Sequence, residues 1–311
     1  MTSPRGSARD WPLADRLALG ACWAAGIVLC LIAGAIVLYM LVKGVQYLRP
    51  EMLWSRPQPE LDQADTGGFL DPLVGTLLLT TMATAIAGPL GAAIAIWLTE
   101  YGRPRWLARA VESGVEIVAG TPSIVLAIFG LIFFSQSFFG FLSFTSEGGG
   151  VFGRSFIIAS AMMSLIALPL VVGGTREALQ VIPKHVREAS LALGKTKAAT
   201  IHRVLLPAAR PGIATGTALG MGRIAGDTAI VVILLGGTLQ LSGQGEVPVL
   251  ETLRGTGSTL TSYVYVNSPA GEGNAPEKAY AAAFVLLGIV IALNFLVDLI
   301  ARGGRVPAWT R

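Results

Sequence analysis

One cation and one anion lie four residues apart in an otherwise uncharged stretch. Arg223 and Asp227 are the only charged residues between positions 211 and 245. A charged side chain at membrane depth costs at least about 2.5–3.5 kcal/mol, and such residues usually face a bundle interior or a transport pathway. Two interpretations follow. In the first, Arg223 meets an anionic substrate in a translocation pathway, and Asp227 holds or releases it. In the second, the two residues form a buried i, i+4 ion pair that fixes helix packing.

Three glycines precede this pair on the same predicted helix. Gly212, Gly216 and Gly220 recur every four residues. At about 100° per residue, they share an arc of roughly 80° with Arg223 and Asp227. Small residues at this spacing let a second helix approach closely in lipid. We therefore expect one helix face to combine close helix packing with the charged pair.

A second group of polar residues occupies the segment 176–210, between two apolar runs. A short amphipathic helix is expected from Lys184 to Leu193. Gly194 is well placed to cap this helix, because glycine adopts a positive φ at little cost. A further helix then leads toward Pro207. A helix, a glycine bend and a second helix suit insertion into a groove on a soluble partner.

Six apolar runs supply the elements that would position these residues. The chain of 311 residues is 53% hydrophobic and only 14% charged, whereas soluble domains are about 25% charged. Each run reaches or approaches the roughly 20 residues that cross a bilayer as a helix. The runs cover 17–42, 72–99, 117–146, 155–175, 211–245 and 279–297. Because a barrel would show alternating segments of about ten residues instead, the sequence predicts an all-α polytopic membrane protein with six transmembrane helices.

The distribution of basic residues predicts the orientation of these helices. Sixteen Lys and Arg residues lie on the side that holds both termini and the 176–210 segment, and six lie on the opposite side. Because basic residues accumulate in cytoplasmic loops, both termini are predicted to be cytoplasmic. The expected divisions are a cytoplasmic tail at 1–16, a first transmembrane helix with an external loop at 17–71, a transmembrane domain at 72–301 and a cytoplasmic tail at 302–311.

A nucleotide-binding motif is suggested by Gly194-Lys195-Thr196, which matches the end of a phosphate-binding P-loop. However, Ala189 stands at the position of the first glycine, and a predicted helix rather than a strand precedes it. The chain is therefore not expected to bind ATP by itself.

Other chemistries find equally little support. The two histidines, His185 and His202, have no acidic or cysteine companions at metal-ligand spacing. The basic 176–210 segment has no aromatic residues on which bases could stack. We predict no catalytic residues, no metal, no cofactor and no nucleic-acid partner.

The 176–210 segment resembles the "EAA" coupling loop of bacterial ABC-transporter permeases, E-A-A-x3-G-x9-I-x-L-P. The matching residues are Glu188, Ala189, Gly194, Leu206 and Pro207, with Ser190 in place of alanine and Val204 in place of isoleucine. In that family the loop docks in a cleft of a cytoplasmic ATPase and transmits nucleotide-driven closure to the membrane helices. The resemblance implies that these seven residues form an ATPase-docking loop and that partner subunits hydrolyse the ATP.

Further residues are similar to the phosphate-importer permeases. The run from Gly212 to Gly216 and the run from Arg223 through Asp227-Thr228-Ala229 resemble their "GI-x-TG … R-x-x-GETA" pattern, with aspartate in place of glutamate. By this resemblance Arg223, Asp227 and Thr228 lie in the substrate pathway.

Two other segments support the same resemblance. Ala119–Val125 resembles the "AG-x-PSIV" segment that opens helix 3, and Glu277-Lys278-Ala279 with Asn294 resembles the PstA-type subunit more than its PstC-type partner. There is one departure. Many such subunits carry an arginine soon after the Leu-Pro of helix 4, where this chain has Gly173 and its next arginine is Arg176.

The resemblance implies a permease of the MetI-like fold in the bacterial cell membrane that imports inorganic phosphate. The expected partners are a PstC-type second permease, two copies of an ABC ATPase, an external phosphate-binding protein and membrane lipid. One alternative keeps this architecture but carries phosphonate, sulfate or molybdate. Another is an ion-coupled secondary transporter or channel that uses Arg223 and Asp227. That class predicts inverted internal repeats, and the sequence shows no second copy of the glycine–Arg–Asp face.

Overall fold

The computed structural model of the chain describes residues 12–57, 67–143, 153–236, 252–269, 271 and 275–302. These residues are overwhelmingly helical, and the described part contains no strand beyond one isolated bridge between Gly236 and Gly257. The α-helices are α1 (Leu13–Tyr47), α2 (Leu70–Ile96), α3 (Arg105–Gly120), α4 (Ser123–Phe134), α5 (Phe156–Val181), α6 (Lys184–Ala192), α7 (Lys197–Thr200), α8 (Leu206–Gly226), α9 (Ala229–Leu234), α10 (Leu260–Asn267) and α11 (Pro276–Arg302).

Shorter helical turns extend or connect these helices. A π-helical turn at Trp97–Tyr101 continues α2, and a second one at Ile201–Leu205 leads into α8. Two 3-10 helices lie at Pro50–Leu53 and Ser137–Leu142. Residues 1–11 and 303–311, which make up most of the two predicted tails, lie outside the described residues.

Four helices of the described part are each long and apolar enough to cross a membrane: α1, α2 with its π-helical turn, α5 and α11. Helices α3 and α4 together form a fifth candidate, but they meet at 110°. The fifth predicted helix, 211–245, is interrupted between Gly226 and Ala229. The all-α class and the approximate number of membrane helices are confirmed. The helix that the Ala119–Val125 segment was expected to open begins at Ser123, whereas the continuity expected of the fifth helix is wrong.

Local backbone chemistry explains both interruptions. Thr121 precedes Pro122, and a residue before proline is pushed out of the α-helical region; its backbone is extended, with φ −81° and ψ 130°. Asp227 is also extended, with φ −82° and ψ 127°. Its Oδ1 accepts a hydrogen bond from the backbone N–H of Ile230 at 3.1 Å. Aspartate can thereby end one helix and cap the next, so an apolar run alone does not reveal the break.

Helix α5 is the centre of the molecule. In its most apolar stretch, 61% of the residues are buried, against 11% in α11 and 0% in α1. It packs between α2 and α8, and its buried side chains share one core with α2, α8 and α9. Helix α1 instead contacts α11 near the C-terminal end of α1. There Gly44 lies against Phe284, and the ring centres of Tyr47 and Tyr280 are stacked 6.4 Å apart. The polar segment 176–210 thus continues directly from the most buried helix.

Candidate functional site

The short amphipathic helix of the predicted docking loop is α6, and a glycine turn ends it as expected. Gly194 has a φ of +76°. Its N–H donates to the carbonyl oxygen of Leu191 at 2.9 Å, and the N–H of Lys195 donates to that of Ser190 at 3.3 Å. This pair of bonds is the Schellman arrangement, which satisfies carbonyl groups at a helix end. The glycine turn therefore gives the chain a defined reversal between α6 and α7.

Ser190 joins the two arms of the loop. Its Oγ lies 2.9 Å from Oγ1 of Thr200, and both residues are buried. Thr196 caps α7 by accepting a hydrogen bond from the N–H of Ala199 at 3.2 Å. The serine that replaces the family's alanine therefore has a specific partner in this chain.

Arg187 ties the loop to two membrane helices. Its Nε donates to Oε1 of Glu100 at 3.0 Å, in the π-helical turn after α2. Its Nη1 and Nη2 donate to the carbonyl oxygens of Ile182 and Leu179 at 2.6 and 2.7 Å, at the end of α5. The Glu100 side chain is only 10% exposed. Charge-assisted hydrogen bonds of this kind are stronger than bonds between neutral groups. They therefore link α6 mechanically to α2 and α5.

Lys197 adds a second connection between the loop and α2. Its ammonium donates to the backbone carbonyl of Glu100 and lies 4.7 Å from the centre of the Tyr101 ring. These contacts were not predicted from the sequence. The available signal was Glu100 itself, a lone carboxylate at the end of an apolar run that faces a loop rich in cations.

The outer side of α6 is an exposed surface with apolar residues. Glu188, Ala189 and Gly194 are exposed, as are Leu191 and Leu193, the latter at 80%. We call these five residues the docking surface. The exposed leucines at the end of α6 agree with the predicted role of this loop in binding a partner.

The remaining residues of the predicted docking loop support this surface from behind. Ser190 is buried, and Val204, Leu206 and Pro207 are partly buried. Between them Leu205 is fully buried, in a cluster with Leu179 of α5. The seven predicted residues therefore divide into three that are displayed and four that hold the loop in shape.

The charged pair is not arranged as an ion pair. Arg223 is exposed in the last turn of α8, whereas Asp227 is only 6% exposed. The Asp227 carboxylate caps α9, and its backbone oxygen accepts a hydrogen bond from Oγ1 of Thr261 at 3.3 Å. No Arg223–Asp227 salt bridge exists among the described residues. The helical i, i+4 pairing is wrong because α8 ends at Gly226.

Thr228 lies at the start of α9, directly after the break. Its side chain is partly exposed, and its carbonyl oxygen accepts a hydrogen bond from the N–H of Val232 at 3.0 Å. The three predicted pathway residues thus surround one helix interruption, with Arg223 on the surface and Asp227 inside.

The glycine face of α8 lies against α5. A Cβ atom at Gly212 would lie 2.3 Å from Cβ of Ala178, and one at Gly216 would lie 2.9 Å from the carbonyl oxygen of Leu170. At Gly220 it would lie 3.2 Å from Cβ of Ala167, also in α5. At Gly212 and Gly216 the two helices therefore approach too closely for a side chain, and at Gly220 the fit is tight.

Valine at Gly216 is expected to lower the free energy of unfolding by at least about 2 kcal/mol, because overpacking against a backbone cannot be relieved by a change of rotamer. The matched control is Gly222→Val, since a Cβ at Gly222 would meet nothing within 4 Å. Thermal unfolding of the two purified variants measures the difference. Equal stability of the two variants would show that α5 and α8 do not pack closely.

Arg176, the arginine that follows Gly173 in α5, has a partner of its own. Its Nη1 lies 2.5 Å from Oε1 of Glu112 in α3. This salt bridge fixes α3 against α5. The structure therefore gives Arg176 a defined contact that does not involve an anionic substrate.

Comparison with known proteins adds the family. The model of the family described as "Binding-protein-dependent transport system inner membrane component" matches residues 87–305. The phosphate transport system permease protein PstA 1 of Mycobacterium tuberculosis (strain ATCC 25618 / H37Rv) is 33% identical over 251 residues, which cover 79% of this chain and 75% of that protein. The phosphate transport system permease protein PstC of Xylella fastidiosa (strain 9a5c) is 30% identical over 249 residues, covering 76% and 72%.

Solved structures share the fold. The MetNI methionine ABC transporter in an inward-facing conformation superposes with a TM-score of 0.57 at 21% identity, covering 76% of this chain and 96% of that chain. A bacterial ABC transporter involved in the import of alginate superposes with a TM-score of 0.58 at 17% identity, covering 93% and 98%. The predicted MetI-like fold is confirmed. The chain is therefore a multi-pass inner-membrane protein that belongs to the family of binding-protein-dependent transport system inner membrane components.

Proposed function

We propose that this chain is a permease subunit of an ATP-driven importer for inorganic phosphate. The observation that carries the proposal is the similarity, over more than three quarters of the chain, to a permease named for phosphate transport. The exposed guanidinium of Arg223 beside a helix break agrees with it. Arginine is suited to this role because its planar fork of N–H donors matches the geometry of a phosphate group.

In this proposal the chain performs no covalent chemistry, and partner subunits supply the energy. A PstC-type permease completes the translocation pathway, two copies of a cytoplasmic ATPase dock below, and an external phosphate-binding protein delivers the anion. The docking surface takes one ATPase subunit, and both termini lie on the same cytoplasmic side. The excess of basic residues on that side supports the orientation.

The contacts of Arg187 suggest how nucleotide-driven movement reaches the pathway. An ATPase that pulls on α6 also pulls on α2 through Glu100 and on α5 through the carbonyls of Leu179 and Ile182. Helix α5 in turn carries α8 through the glycine contacts. Arg223, at the end of α8, would therefore be exposed to opposite sides of the membrane in alternation.

The break between α8 and α9 lets Arg223 move relative to the outer part of the bundle. Asp227 holds α9 through its cap and α10 through Thr261. We place Arg223 in contact with the anion, Asp227 as the residue that positions the break, and Thr228 at the edge of the pathway.

Secondary transporters also use interrupted helices, and this chain has interruptions between α3 and α4 and between α8 and α9. The family membership and the docking surface nevertheless favour an ATP-driven importer over an ion-coupled transporter. A transporter of the same architecture that carries another oxyanion is distinguished by competition for uptake.

Uptake of radiolabelled phosphate is expected in bacteria that lack their own phosphate transporters when this chain is supplied together with its partner subunits. Uptake should continue when an ionophore collapses the proton gradient, because ATP drives it. Excess unlabelled phosphate should compete, whereas sulfate, molybdate and phosphonates should not. Competition by one of those oxyanions and not by phosphate would assign a different cargo, and loss of uptake with the gradient would contradict an ATP-driven mechanism.

A further inference from the structure

Helix α3 lies almost at right angles to α4. The two helices meet at 110° at Thr121 and Pro122. If α4 runs along the membrane normal, the 110° bend leaves α3 about 20° from the membrane plane. Its sixteen residues extend about 24 Å along the surface. Helix α3 thus has the orientation of an interfacial helix rather than of a membrane span.

The position of α3 assigns it to the membrane face that carries the docking surface. It follows the π-helical turn Trp97–Tyr101 after a tight turn at Gly102, which has a φ of +41°. That π-helical turn holds Glu100, the partner of Arg187 in α6. Because α3 follows this turn in the chain and α6 contacts it, both lie at one end of the bundle.

One side of α3 packs on the protein, and another is exposed and apolar. Val111 and Val115 are partly buried, and Glu112 pairs with Arg176 of α5. Trp106 and Ile117 are each 68% exposed. These two residues are eleven positions apart, so they share one line along the helix, about 17 Å in length. Tryptophan is enriched at the level of lipid headgroups, where its ring has both apolar and polar contacts.

Exposed cations adjoin this apolar line at its beginning. Arg103, Arg105 and Arg109 are all exposed, within seven residues that also include Trp106. Of the two carboxylates on the helix, Glu112 is paired with Arg176, and Glu116 lies near the other end, seven residues beyond Arg109. The first turns of α3 therefore carry an excess of positive charge beside an interfacial aromatic ring.

We propose that α3 binds the headgroups of acidic phospholipids in the leaflet that faces the docking surface. Trp106 and Ile117 enter the boundary between headgroups and acyl chains. The arginines extend their guanidinium groups to the phosphates, as long basic side chains do at interfaces. Basic residues next to a membrane surface attract anionic lipid over about one Debye length. Such binding would anchor α3, and through the Arg176–Glu112 salt bridge it would steady α5.

The test places a photo-crosslinking amino acid, benzoylphenylalanine, at Ala110 of the full chain in cell membranes. Ala110 is exposed, follows Arg109 directly and lies between Trp106 and Ile117. After irradiation, mass spectrometry identifies the lipid attached to the chain. We expect the ratio of acidic to neutral phospholipid among the adducts to exceed that of the membrane, and each arginine should raise this ratio roughly fivefold. The double variant Arg105→Gln, Arg109→Gln should lose it.

A matched control changes two other exposed arginines near the docking loop, Arg203→Gln and Arg210→Gln, and should leave the enrichment unchanged. Crosslinks to protein in place of lipid would show that a partner subunit covers this face and would overturn the proposal. Lipid adducts in proportion to the bulk membrane would also overturn it, because the arginines would then select nothing. Neither outcome bears on phosphate uptake, so the proposed transport function is tested separately.

Discussion

Tryptophan in place of Gly194 is expected to abolish ATP-driven uptake while the membrane helices remain folded. The backbone at Gly194 has a φ of +76°, a conformation that costs other residues about 1–2 kcal/mol. A Cβ there would meet nothing within 4 Å, so the indole would project from the docking surface and not into the chain's own core. Loss of a central interface contact costs about 2 kcal/mol or more. ATPase affinity should therefore fall by at least roughly thirtyfold.

Co-purification of the ATPase with the permease and uptake in cells measure this effect. The matched control is Gly194→Asn, since asparagine tolerates the left-handed conformation and can replace glycine after a helix. The asparagine variant should keep both ATPase binding and uptake. Full assembly and normal uptake in the tryptophan variant would contradict the assignment of α6 and Gly194 as the coupling element.

The parts of the fold that the sequence predicted correctly are those governed by length, hydrophobicity and glycine. The apolar runs at 72–99, 155–175 and 279–297 correspond to α2, α5 and α11, because a membrane-spanning helix must keep about twenty residues apolar. The end of α6 was predictable within one residue because glycine, unlike most residue types, adopts a positive φ without strain, and Gly194 follows the helix. In these elements a single physical requirement determines the structure.

The break at Asp227 could not be predicted in the same way. A run of apolar residues specifies burial in lipid, but it does not say whether the backbone stays helical. At Asp227 a carboxylate can either extend from a continuous helix or fold back to cap Ile230, and the contact with Thr261 of α10 favours the second. That contact joins positions 34 residues apart, which no local pattern reports.

The network around Arg187 was missed for a related reason. In sequence, Arg187 is one of several basic residues in a cytoplasmic loop, and Glu100 is a carboxylate 87 positions away. Only the packing of α2 beside α5 brings them within 3.0 Å. The sequence therefore predicts which loop binds a partner, and the structure shows how that loop is attached to the membrane helices.

Alanine in place of Arg223 is expected to lower phosphate uptake by at least roughly thirtyfold while the transporter still assembles. Arg223 is exposed on this chain, and it forms no salt bridge within the described residues. Its neighbours Ile224 and Ala225 supply the buried contacts of the last turn of α8. Loss of a charged contact to a desolvated partner costs about 2–5 kcal/mol, so the effect should fall on transport and not on folding. Arg223→Lys should retain part of the activity, because lysine keeps the charge but not the planar fork.

Asp227 provides the comparison that separates an anion contact from a structural role. Asp227→Asn keeps a side-chain oxygen that can accept the hydrogen bond from Ile230, so both assembly and most of the uptake should persist. Asp227→Leu removes the acceptor, and loss of a helix cap should lower the free energy of unfolding by about 1 kcal/mol. Uptake assays and thermal unfolding of the four variants at 223 and 227 distinguish the two roles. If Arg223→Ala keeps uptake and loses only stability, Arg223 serves helix packing. If Asp227→Asn abolishes uptake as Arg223→Ala does, the negative charge of Asp227 acts in the transport pathway as well as in the helix cap.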